Sequence, residues 1–322
     1  ATIRRRIRAG LRQLAAEPES RQGALIAALR AKPIAVQADR ANEQHYELPP
    51  AFFQTVLGPY LKYSACLWPP GVDHLAEAEA AMLRLTCERA DLHDGQTILE
   101  LGCGWGSLSL WMAEHYPNAQ ITAVSNAHNQ RKFIQAQAEA RGLTNLTVLT
   151  ANVAELSLDR SFERVVSVEM FEHMKNYDAL LGKIAGWLRP GGLLFVHHFS
   201  HMGRAYEFDD TDPQNWMARY FFAGGTMPCH TLLDHFQRDD LRVEQRWAVS
   251  GTHYEKTLNA WLAKMDAARA RLRPLFAETY GAQARRWWAY WRLFFMACAE
   301  SFGLDDGETY IVTHVTLRKP SA

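Results

Sequence analysis

Three glycines at alternate positions follow a short apolar run in the first third of the chain. The run Thr97–Leu101 is typical of a buried strand, Gly102, Gly104 and Gly106 follow it, and a helical pattern begins directly afterwards. A strand, a glycine turn and a helix N-terminus together let a ligand lie against bare backbone. Glu100 just before the glycines would repel a pyrophosphate, whereas it would pair with an ammonium group. The segment therefore favours S-adenosylmethionine (SAM) as the ligand.

The glycine spacing also argues against a dinucleotide. A dinucleotide fingerprint needs the pattern G-x-G-x-x-G and an acid about 20 residues later to hold a ribose. Here the pattern is G-x-G-x-G, and the second predicted strand ends in Val124, Ser125 and Asn126 with no acid. The alternative interpretation is an ordinary glycine-rich turn of an α/β protein.

A second group of reactive side chains follows the fourth predicted strand. Glu169, Glu172 and His173 lie within five residues. In an open parallel sheet the ligand binds at the C-terminal ends of the strands, so this segment should face whatever the glycine turn holds. Burial of neighbouring carboxylates raises a carboxyl pKa and makes a usable general base. The alternative is a helix cap with solvated acids.

The surrounding pattern predicts an α/β fold. From about residue 96 strands and helices alternate, which indicates parallel strands joined by right-handed crossovers. Two short helices are predicted in residues 1–30, one helix near 73–90, and two long helices at 254–275 and 280–302. The predicted strands lie near 97–101, 120–124, 145–149, 163–168, 192–198, 242–248 and 308–318.

Composition excludes several classes of protein. The 35 basic and 35 acidic residues balance, so nucleic acid is not expected as a partner. Five scattered cysteines without a C-x-x-C pair argue for a reducing compartment and against a disulfide framework or a zinc site. No apolar run approaches the roughly 18 residues that span a bilayer. We therefore expect a cytoplasmic protein with no integral membrane span, no secretory signal and no metal.

The first dozen residues are rich in arginine and carry Ile3, Ile7 and Leu11 at helical spacing. Three interpretations stay open for this amphipathic helix. It could lie on a membrane surface, act as a transit-type sequence, or dock on its own protein.

Taken together, these segments resemble the SAM-dependent methyltransferases of the cyclopropane-fatty-acid-synthase superfamily. The resemblance runs from about residue 40 to the end and rests on Tyr63-Ser64, Glu100–Gly106, Val168–Met174 and Arg189–Gly192. Within the superfamily the chain is most similar to the coclaurine N-methyltransferase-like branch. That branch is suggested by Phe171–Tyr177, Phe195–Phe199, Ala223–Pro228, Ala260–Asp266 and Tyr290–Phe295.

The resemblance implies a class I, Rossmann-like methyltransferase fold with a seven-stranded, mostly parallel sheet. N-terminal helices would form a cap over residues 1–72, and the methyltransferase domain would span 73–322. Helical substrate-binding insertions are expected at about 200–235 and 250–302. The branch also suggests a homodimer.

The resemblance also implies roles for particular residues. Gly102 and Gly104 would receive the methionine part of SAM, and Tyr63 and Ser64 would close over it. Ser125 and Gln130 would contact the ribose, and Asn152 and Val153 would lie near the adenine. The remaining cofactor contacts would be Glu100 and Asn126. Glu169, Glu172 and His173 would act on the substrate amine, and S-adenosylhomocysteine (SAH) would be released.

Methyl transfer to nitrogen agrees with these residue types. Only a neutral amine can attack a sulfonium methyl group, so a carboxylate or imidazole must take the ammonium proton. The resemblance implies that the substrate is a small aromatic or cyclic amine of the isoquinoline alkaloid type. Its pocket would include His198, Tyr254, Trp261, Trp287, Tyr290, Trp291 and Phe294. Core packing is the alternative for the aromatic residues, because Trp287, Trp291 and Phe294 recur at helical spacing.

Two other functions stay open. The lipid branch of the superfamily methylates or cyclopropanates acyl-chain double bonds with a bound bicarbonate, for which Cys103, Glu172, His198 and Tyr254 could supply the ligands. Glu169 and Ser200 count against it, because lipid enzymes are expected to have a small residue and an apolar residue there. A non-catalytic SAM-binding protein is the more distant alternative.

Overall fold

Seven of the predicted apolar runs form one sheet in the computed structural model, which describes residues 2–36, 48–212 and 215–321. The strands of this sheet are β1 (Thr97–Leu101), β2 (Gln120–Ser125), β3 (Leu146–Thr150), β4 (Phe162–Val168), β5 (Leu188–His201), β8 (Arg242–Val249) and β9 (Tyr310–Arg318). Their order is β3-β2-β1-β4-β5-β9-β8, and β9 runs antiparallel to both of its neighbours. The predicted seven-stranded, mostly parallel sheet is confirmed. Two short strands, β6 (Tyr206–Glu207) and β7 (Thr226–Met227), form a separate ribbon.

Eleven α-helices of the described residues pack around the sheet, and short 3₁₀ segments lie between some of them. The α-helices of the described residues are α1 (Thr2–Ala16), α2 (Ser20–Ala31), α3 (Pro50–Val56), α4 (Leu75–Arg89), α5 (Ser107–His115), α6 (His128–Ala140), α7 (Tyr177–Trp187), α8 (Trp216–Tyr220), α9 (Gly251–Ala267), α10 (Arg269–Tyr280) and α11 (Ala284–Phe302). None of these described helices is long and apolar enough to cross a membrane.

The longest 3₁₀ helix of the described residues has five residues, Leu232–Phe236. The other 3₁₀ segments of the described residues are single turns, and they are Phe171–His173, Gly281–Gln283 and Leu304–Gly307.

The central strands are buried because helices cover both faces of the sheet. Leu99 and Val165 point to the face that α2 and α7 cover, and Ile98 and Val166 point to the face that α4 and α5 cover. Strand order reverses between β1 and β4, so the segments that follow these two strands meet at one edge of the sheet. The glycine turn and the acidic segment are those two segments.

The prediction of one long helix at 254–275 is wrong, because two helices occupy this region. Helix α9 begins at Gly251 and ends at Ala267, and α10 begins at Arg269. The break is at Ala268, whose N–H still bonds back to Lys264 while the chain changes direction. Strand β5 is also longer than predicted, since it begins at Leu188 and continues to His201.

The N-terminal helix α1 docks on its own protein, which agrees with one of the three interpretations of the sequence. Ile7 and Leu11 pack against the aromatic cluster of α3, α9 and α11. Arg4 forms ion pairs with Glu300 and Glu255. The predicted cap at 1–72 includes residues 37–47, which lie outside the described residues.

Candidate active site

Two glycines of the turn after β1 have different surroundings. Gly102 is closely packed, whereas Gly104 faces open space. Gly102 has a φ of +80°, and a Cβ there would lie 2.8 Å from the Cβ of Met170. Gly104 has a φ of +51°, and a Cβ there would meet no atom within 4 Å. Gly104 therefore faces open space, and its missing side chain leaves the backbone accessible to a bound molecule.

Two small cavities flank this turn and contain all ten predicted cofactor residues. One cavity, of about 70 Å³, is lined by Tyr63, Ser64, Glu100, Gly102 and Gly104. The other, of about 110 Å³, is lined by the same two glycines together with Ser125, Asn126, Gln130, Asn152 and Val153. Residues that are up to 90 positions apart in the sequence thus surround one cleft.

Glu100 gives the first cavity an acidic end. Its side chain is buried, and Ser109 Oγ donates a hydrogen bond to one carboxylate oxygen. Burial raises the pKa of Glu100 to about 7. No cation among the described residues forms an ion pair with it. An ammonium group of a ligand would therefore stabilise the ionised form.

Several buried polar atoms of the cleft have no hydrogen-bond partner among the described residues. They are Thr86 Oγ1 and Ser107 Oγ in the first cavity and Gln130 Nε2 in the second. Gln130 Oε1, in contrast, accepts a hydrogen bond of 2.5 Å from Ser125 Oγ. Buried polar groups in folded proteins are normally paired. These atoms, together with Gly104 and Glu100, fit a polar ligand such as SAM.

A buried carboxylate that the sequence interpretation missed holds the loop beside this cleft. Glu79 on α4 accepts hydrogen bonds from the backbone N–H groups of Gly58, Tyr60 and Lys62, at 2.9, 2.9 and 3.2 Å. Burial raises the pKa of Glu79 to about 7, and these donors oppose the shift. The anchored loop continues into Tyr63 and so forms one wall of the cleft.

Glu169 lies where three cavities meet, since it lines both cofactor cavities and a third, larger one. Its backbone has a φ of +48°, a left-handed conformation that is uncommon for residues other than glycine. Oε1 accepts a hydrogen bond of 2.9 Å from Ala65 N–H, and Oε2 accepts one of 2.8 Å from the Tyr254 hydroxyl. Oε1 also lies 3.2 Å from His197 Nε2. Burial raises the pKa of Glu169, and the nearby Lys62 ammonium opposes that shift.

Glu172 lies behind Glu169 and lines none of these three cavities in the part of the chain that the structure describes. It is fully buried, and its Oε1 accepts a hydrogen bond of 2.8 Å from Phe199 N–H on β5. Its Oε2 has no hydrogen-bond partner among the described residues. Burial and the neighbouring Glu169 hold the pKa of Glu172 well above its usual range.

His173 faces both the larger cavity and the second cofactor cavity. Its ring stacks on Phe222 with the centroids 5.9 Å apart. Burial lowers the pKa of His173 to about 4, so the imidazole is neutral at physiological pH. Of the three predicted catalytic residues, the fold brings Glu169 and His173 to the cavities and keeps Glu172 in the wall behind them.

The larger cavity has a volume of about 620 Å³ and lies between the end of the sheet, α9, α11 and α1. Three of the seven predicted substrate residues line it: Tyr254, Trp261 and Phe294. Other aromatic residues on its wall are Tyr63, Phe199, Tyr206, Phe208, Phe222, Phe302 and Tyr310. The cavity is thus mainly apolar, with Glu169 and His173 at its inner end.

The other four predicted substrate residues do not line this cavity in the described part of the chain. His198 is buried, and its Nδ1 contacts Ser200 Oγ and the carbonyl oxygen of Phe199, both at 3.0 Å. Trp291 is fully buried with its ring 4.9 Å from that of Phe52.

Trp287 and Tyr290 lie in an aromatic cluster outside the cavity. Trp287 stacks on Tyr280 at 4.7 Å, and Tyr290 contacts Tyr220 at the same distance. The cavity runs beside the C-terminal half of α11, where Phe294 and Cys298 face it. The side chains of these three α11 residues and of His198 pack against protein and do not line this cavity in the described part of the chain.

The chain is similar to known N-methyltransferases and cyclopropane synthases. The family model described as mycolic acid cyclopropane synthetase matches residues 35–311. The (S)-coclaurine N-methyltransferase of Thalictrum flavum subsp. glaucum is 38% identical over 90% of this chain and 82% of its own length. The cyclopropane-fatty-acyl-phospholipid synthase of Escherichia coli (strain K12) is 31% identical over 82% of this chain and 65% of its own length.

A solved structure is similar over nearly the whole chain. The crystal structure of a coclaurine N-methyltransferase bound to N-methylheliamine and SAH superimposes with a TM-score of 0.93 and 35% identity. The match covers 99% of this chain and 94% of that one. The Rossmann-like methyltransferase fold that the sequence predicted is confirmed.

Proposed function

This chain belongs to the mycolic acid cyclopropane synthetase family of SAM-dependent methyltransferases, in its coclaurine N-methyltransferase-like branch, and we propose that it methylates the nitrogen of a small aromatic or cyclic amine. Glu169 is the general base in this proposal. The observation that carries it is the Glu169 carboxylate, held by Ala65 N–H and the Tyr254 hydroxyl at the junction of the three cavities.

The chemistry needs a base at this junction. An amine of this class is mostly protonated at neutral pH, and only its neutral form has a lone pair for attack. General-base assistance contributes about 10²–10⁴-fold to a rate. Burial raises the pKa of Glu169 toward the operating range of a base. The neutral imidazole of His173 faces the same space and can accept a hydrogen bond from the amine.

The cleft around the glycine turn supports SAM as the methyl donor. When bound, SAM supplies an electrophilic methyl group on a sulfonium. Glu100 would pair with its ammonium group, Gly102 and Gly104 would lie against its methionine part, and Gln130 would offer its free Nε2 to the nucleoside. Glu169 lines both the cleft and the larger cavity, so the base lies beside the place where a methyl donor in the cleft and an amine in the cavity would meet.

The larger cavity suits an aromatic amine. A volume of about 620 Å³ falls within the range of small-molecule sites. Aromatic walls stabilise a planar substrate by stacking, and they stabilise its cationic form by about 0.5–2 kcal/mol for each cation–π contact. The methylated product is an ammonium ion, which the Glu169 carboxylate also stabilises.

The lipid function has less support. It would draw on Cys103, Glu172, His198 and Tyr254 around a bicarbonate. The Tyr254 hydroxyl donates to Glu169, His198 contacts Ser200, and neither Glu172 nor His198 lines the larger cavity within the described residues. Glu169 adds a carboxylate to that of Glu172, and in a lipid enzyme it would place a polar group against the acyl chain.

The first test follows an isotopically labelled methyl group from SAM. The full chain is incubated separately with a panel of cyclic and arylalkyl amines and with vesicles of unsaturated phospholipid, and products are analysed by mass spectrometry. We expect label on amine nitrogen and none in acyl chains. Label in acyl chains alone would overturn the proposal.

A substitution tests the base. We expect Glu169→Gln to lower kcat for the best amine by about 10²-fold or more while the Kd for SAM changes less than about twofold. Glu139→Gln, on the exposed face of α6, is the matched control and should leave both constants unchanged. Equal losses in kcat and in SAM affinity would contradict the assignment of Glu169.

A further inference from the structure

Three side chains from three distant segments form a chain of hydrogen-bond contacts that ends at Glu169. Arg89 Nη1 lies 2.8 Å from His314 Nδ1, and His314 Nε2 lies 2.9 Å from His197 Nδ1. His197 Nε2 completes the row at 3.2 Å from Glu169 Oε1. Both histidines are fully buried. We call these four residues the Arg89–Glu169 row.

The sheet register explains why they meet. His197 on β5 is paired with His314 on β9, and His314 is paired with Trp247 on β8. Side chains of directly paired residues lie side by side on one face of a sheet. Arg89, the last residue of α4, lies 4.7 Å from the centre of the Trp247 ring and reaches His314 from there.

The direction of each hydrogen bond follows from the chemistry of arginine. A guanidinium has donors and no acceptor, so His314 Nδ1 must accept from Arg89. An imidazole that accepts at Nδ1 carries its hydrogen on Nε2, and His314 therefore donates to His197 Nδ1. By the same argument His197 carries its hydrogen on Nε2 and donates to Glu169 Oε1.

We infer that Arg89 fixes the tautomers of His314 and His197 and thereby makes His197 a constant hydrogen-bond donor to the Glu169 carboxylate, an inference that rests on the proposed role of Glu169 as the base. Arg89, His314 and His197 are positioning residues in this sense. Together with Tyr254, which donates to Oε2, His197 fixes both carboxylate oxygens.

The surroundings keep both imidazoles neutral, as this arrangement requires. An imidazolium has no acceptor nitrogen, so neither ring could accept its hydrogen bond if it were charged. Burial lowers the pKa of each ring well below its usual range, and Arg89 and Lys62 lower it further. The charged or titratable groups that face the row are Lys62 before α4, His198 on β5, Glu172 and His173 after β4, and Tyr254 on α9.

The same row cannot carry a proton away from Glu169. Arginine neither releases nor accepts a proton in proteins, so the row ends at Arg89 without a proton acceptor. A proton taken from the substrate amine must therefore leave on the cavity side, where His173 lies. What the row supplies is a donor that favours the ionised carboxylate, and the loss of that donor would raise the pKa of Glu169.

Nuclear magnetic resonance of the unsubstituted, ¹⁵N-labelled full chain tests the tautomers without any substrate. We expect the rings of His197 and His314 to be neutral Nε2–H tautomers that do not titrate between about pH 6 and 9. Spectra of His197→Gln and His314→Gln assign these two signals. An Nδ1–H tautomer or a protonated ring at either position would overturn the inference.

Kinetics test the effect on Glu169. We expect Arg89→Met, which keeps an apolar stem but no donor, to lower kcat by about tenfold and to move the acid limb of the kcat/KM profile up by about one pH unit. The KM for SAM should not change. Arg89→Lys keeps a donor-only cation and should restore the wild-type pH profile.

Arg84→Met, on the exposed face of the same helix, is the matched control. A lower stability of Arg89→Met with an unmoved pH profile would contradict a positioning role. If Arg89→Met does not fold, the histidine spectrum of the unsubstituted chain decides. A chain that methylates no amine but has the expected tautomers would refute the proposed function and leave the row in place.

Discussion

Glu169 adopts a backbone conformation that is unfavourable for most residues other than glycine. Its φ of +48° is in the left-handed region, which costs about 1–2 kcal/mol for an L-residue. The residue directly follows β4, and its carboxylate lies at the cavity junction. The strain therefore accompanies a functional placement, as is common at active sites.

A matched pair of substitutions measures this strain. Glu169→Gly and Glu169→Ala both remove the carboxylate and its hydrogen bonds, and they differ in the ease with which position 169 takes a positive φ. We expect the glycine variant to have the higher free energy of unfolding, by about 1 kcal/mol, in urea denaturation followed by circular dichroism. Equal values for the two variants would mean that the left-handed conformation relaxes at little cost.

Glu100 should make SAM affinity depend on pH. Burial raises its pKa to about 7 in the free protein, and an ammonium group binds only the ionised carboxylate. Below about pH 7 the ligand must therefore displace a proton from Glu100. The affinity for the ligand should fall by about tenfold for each unit that the pH is lowered, and it should be constant above pH 7. Calorimetric titration of SAH between pH 5 and 8 measures this dependence.

The Glu100→Gln variant is the control for this pH dependence. It should bind SAH more weakly than the unsubstituted chain above pH 7, with an affinity that does not change across the same range. A persistent slope in this variant would assign the titration to another group.

At the scale of elements, Glu79 connects helix α4 to the loop that forms one wall of the cofactor cleft. A glutamine there would turn its amide nitrogen toward at least one of the three backbone donors, and an unpaired buried N–H costs about 1–3 kcal/mol. We expect Glu79→Gln to raise the KM for SAM by about tenfold. It should also lower kcat, because the same loop carries Ala65, which donates to Glu169.

The neighbouring residue Glu77 is exposed on the same helix and provides the control. Glu77→Gln should leave both kinetic constants unchanged. If Glu79→Gln lowers stability while the KM for SAM stays constant, the loop does not depend on Glu79 for its place in the cleft.

Local signals in the sequence predicted the elements, and non-local contacts decided the site. Apolar runs and alternate glycines identified β1 and the turn after it, because strand burial and backbone freedom depend on neighbouring residues. The spacing of Trp287, Trp291 and Phe294 on α11 could not show which of these side chains pack in the core and which line the cavity. Core-facing and cavity-facing positions lie on the same face of this helix. The row through Arg89, His197 and His314 joins residues more than 100 positions apart, and only the sheet register brings them together.

At the scale of the whole molecule, the N-terminal helix α1 completes a cavity that the sheet and the C-terminal helices leave open. Ile7, Leu11 and Leu14 line the cavity from one side, and Glu169 lies at its inner end. Ion pairs of Arg4 and Arg8 with the end of α11 and the following turn hold α1 from outside. Exposed ion pairs contribute only about 0.2–1 kcal/mol each, so the apolar contacts carry most of the docking energy.

Because α1 lines only the larger cavity, we expect it to affect the binding of the amine and not the binding of SAM. We expect Leu11→Ser to raise the KM for the best amine by about threefold to tenfold, because Leu11 is half-buried and the substitution removes only part of the roughly 1.5–3 kcal/mol that full burial of a leucine side chain contributes. The Kd for SAM should not change, since α1 lines neither cofactor cavity. Arg12→Ser, on the exposed face of α1, is the matched control and should leave the KM for the amine unchanged. A parallel loss of SAM affinity in Leu11→Ser would mean that α1 supports the whole site rather than the amine cavity alone.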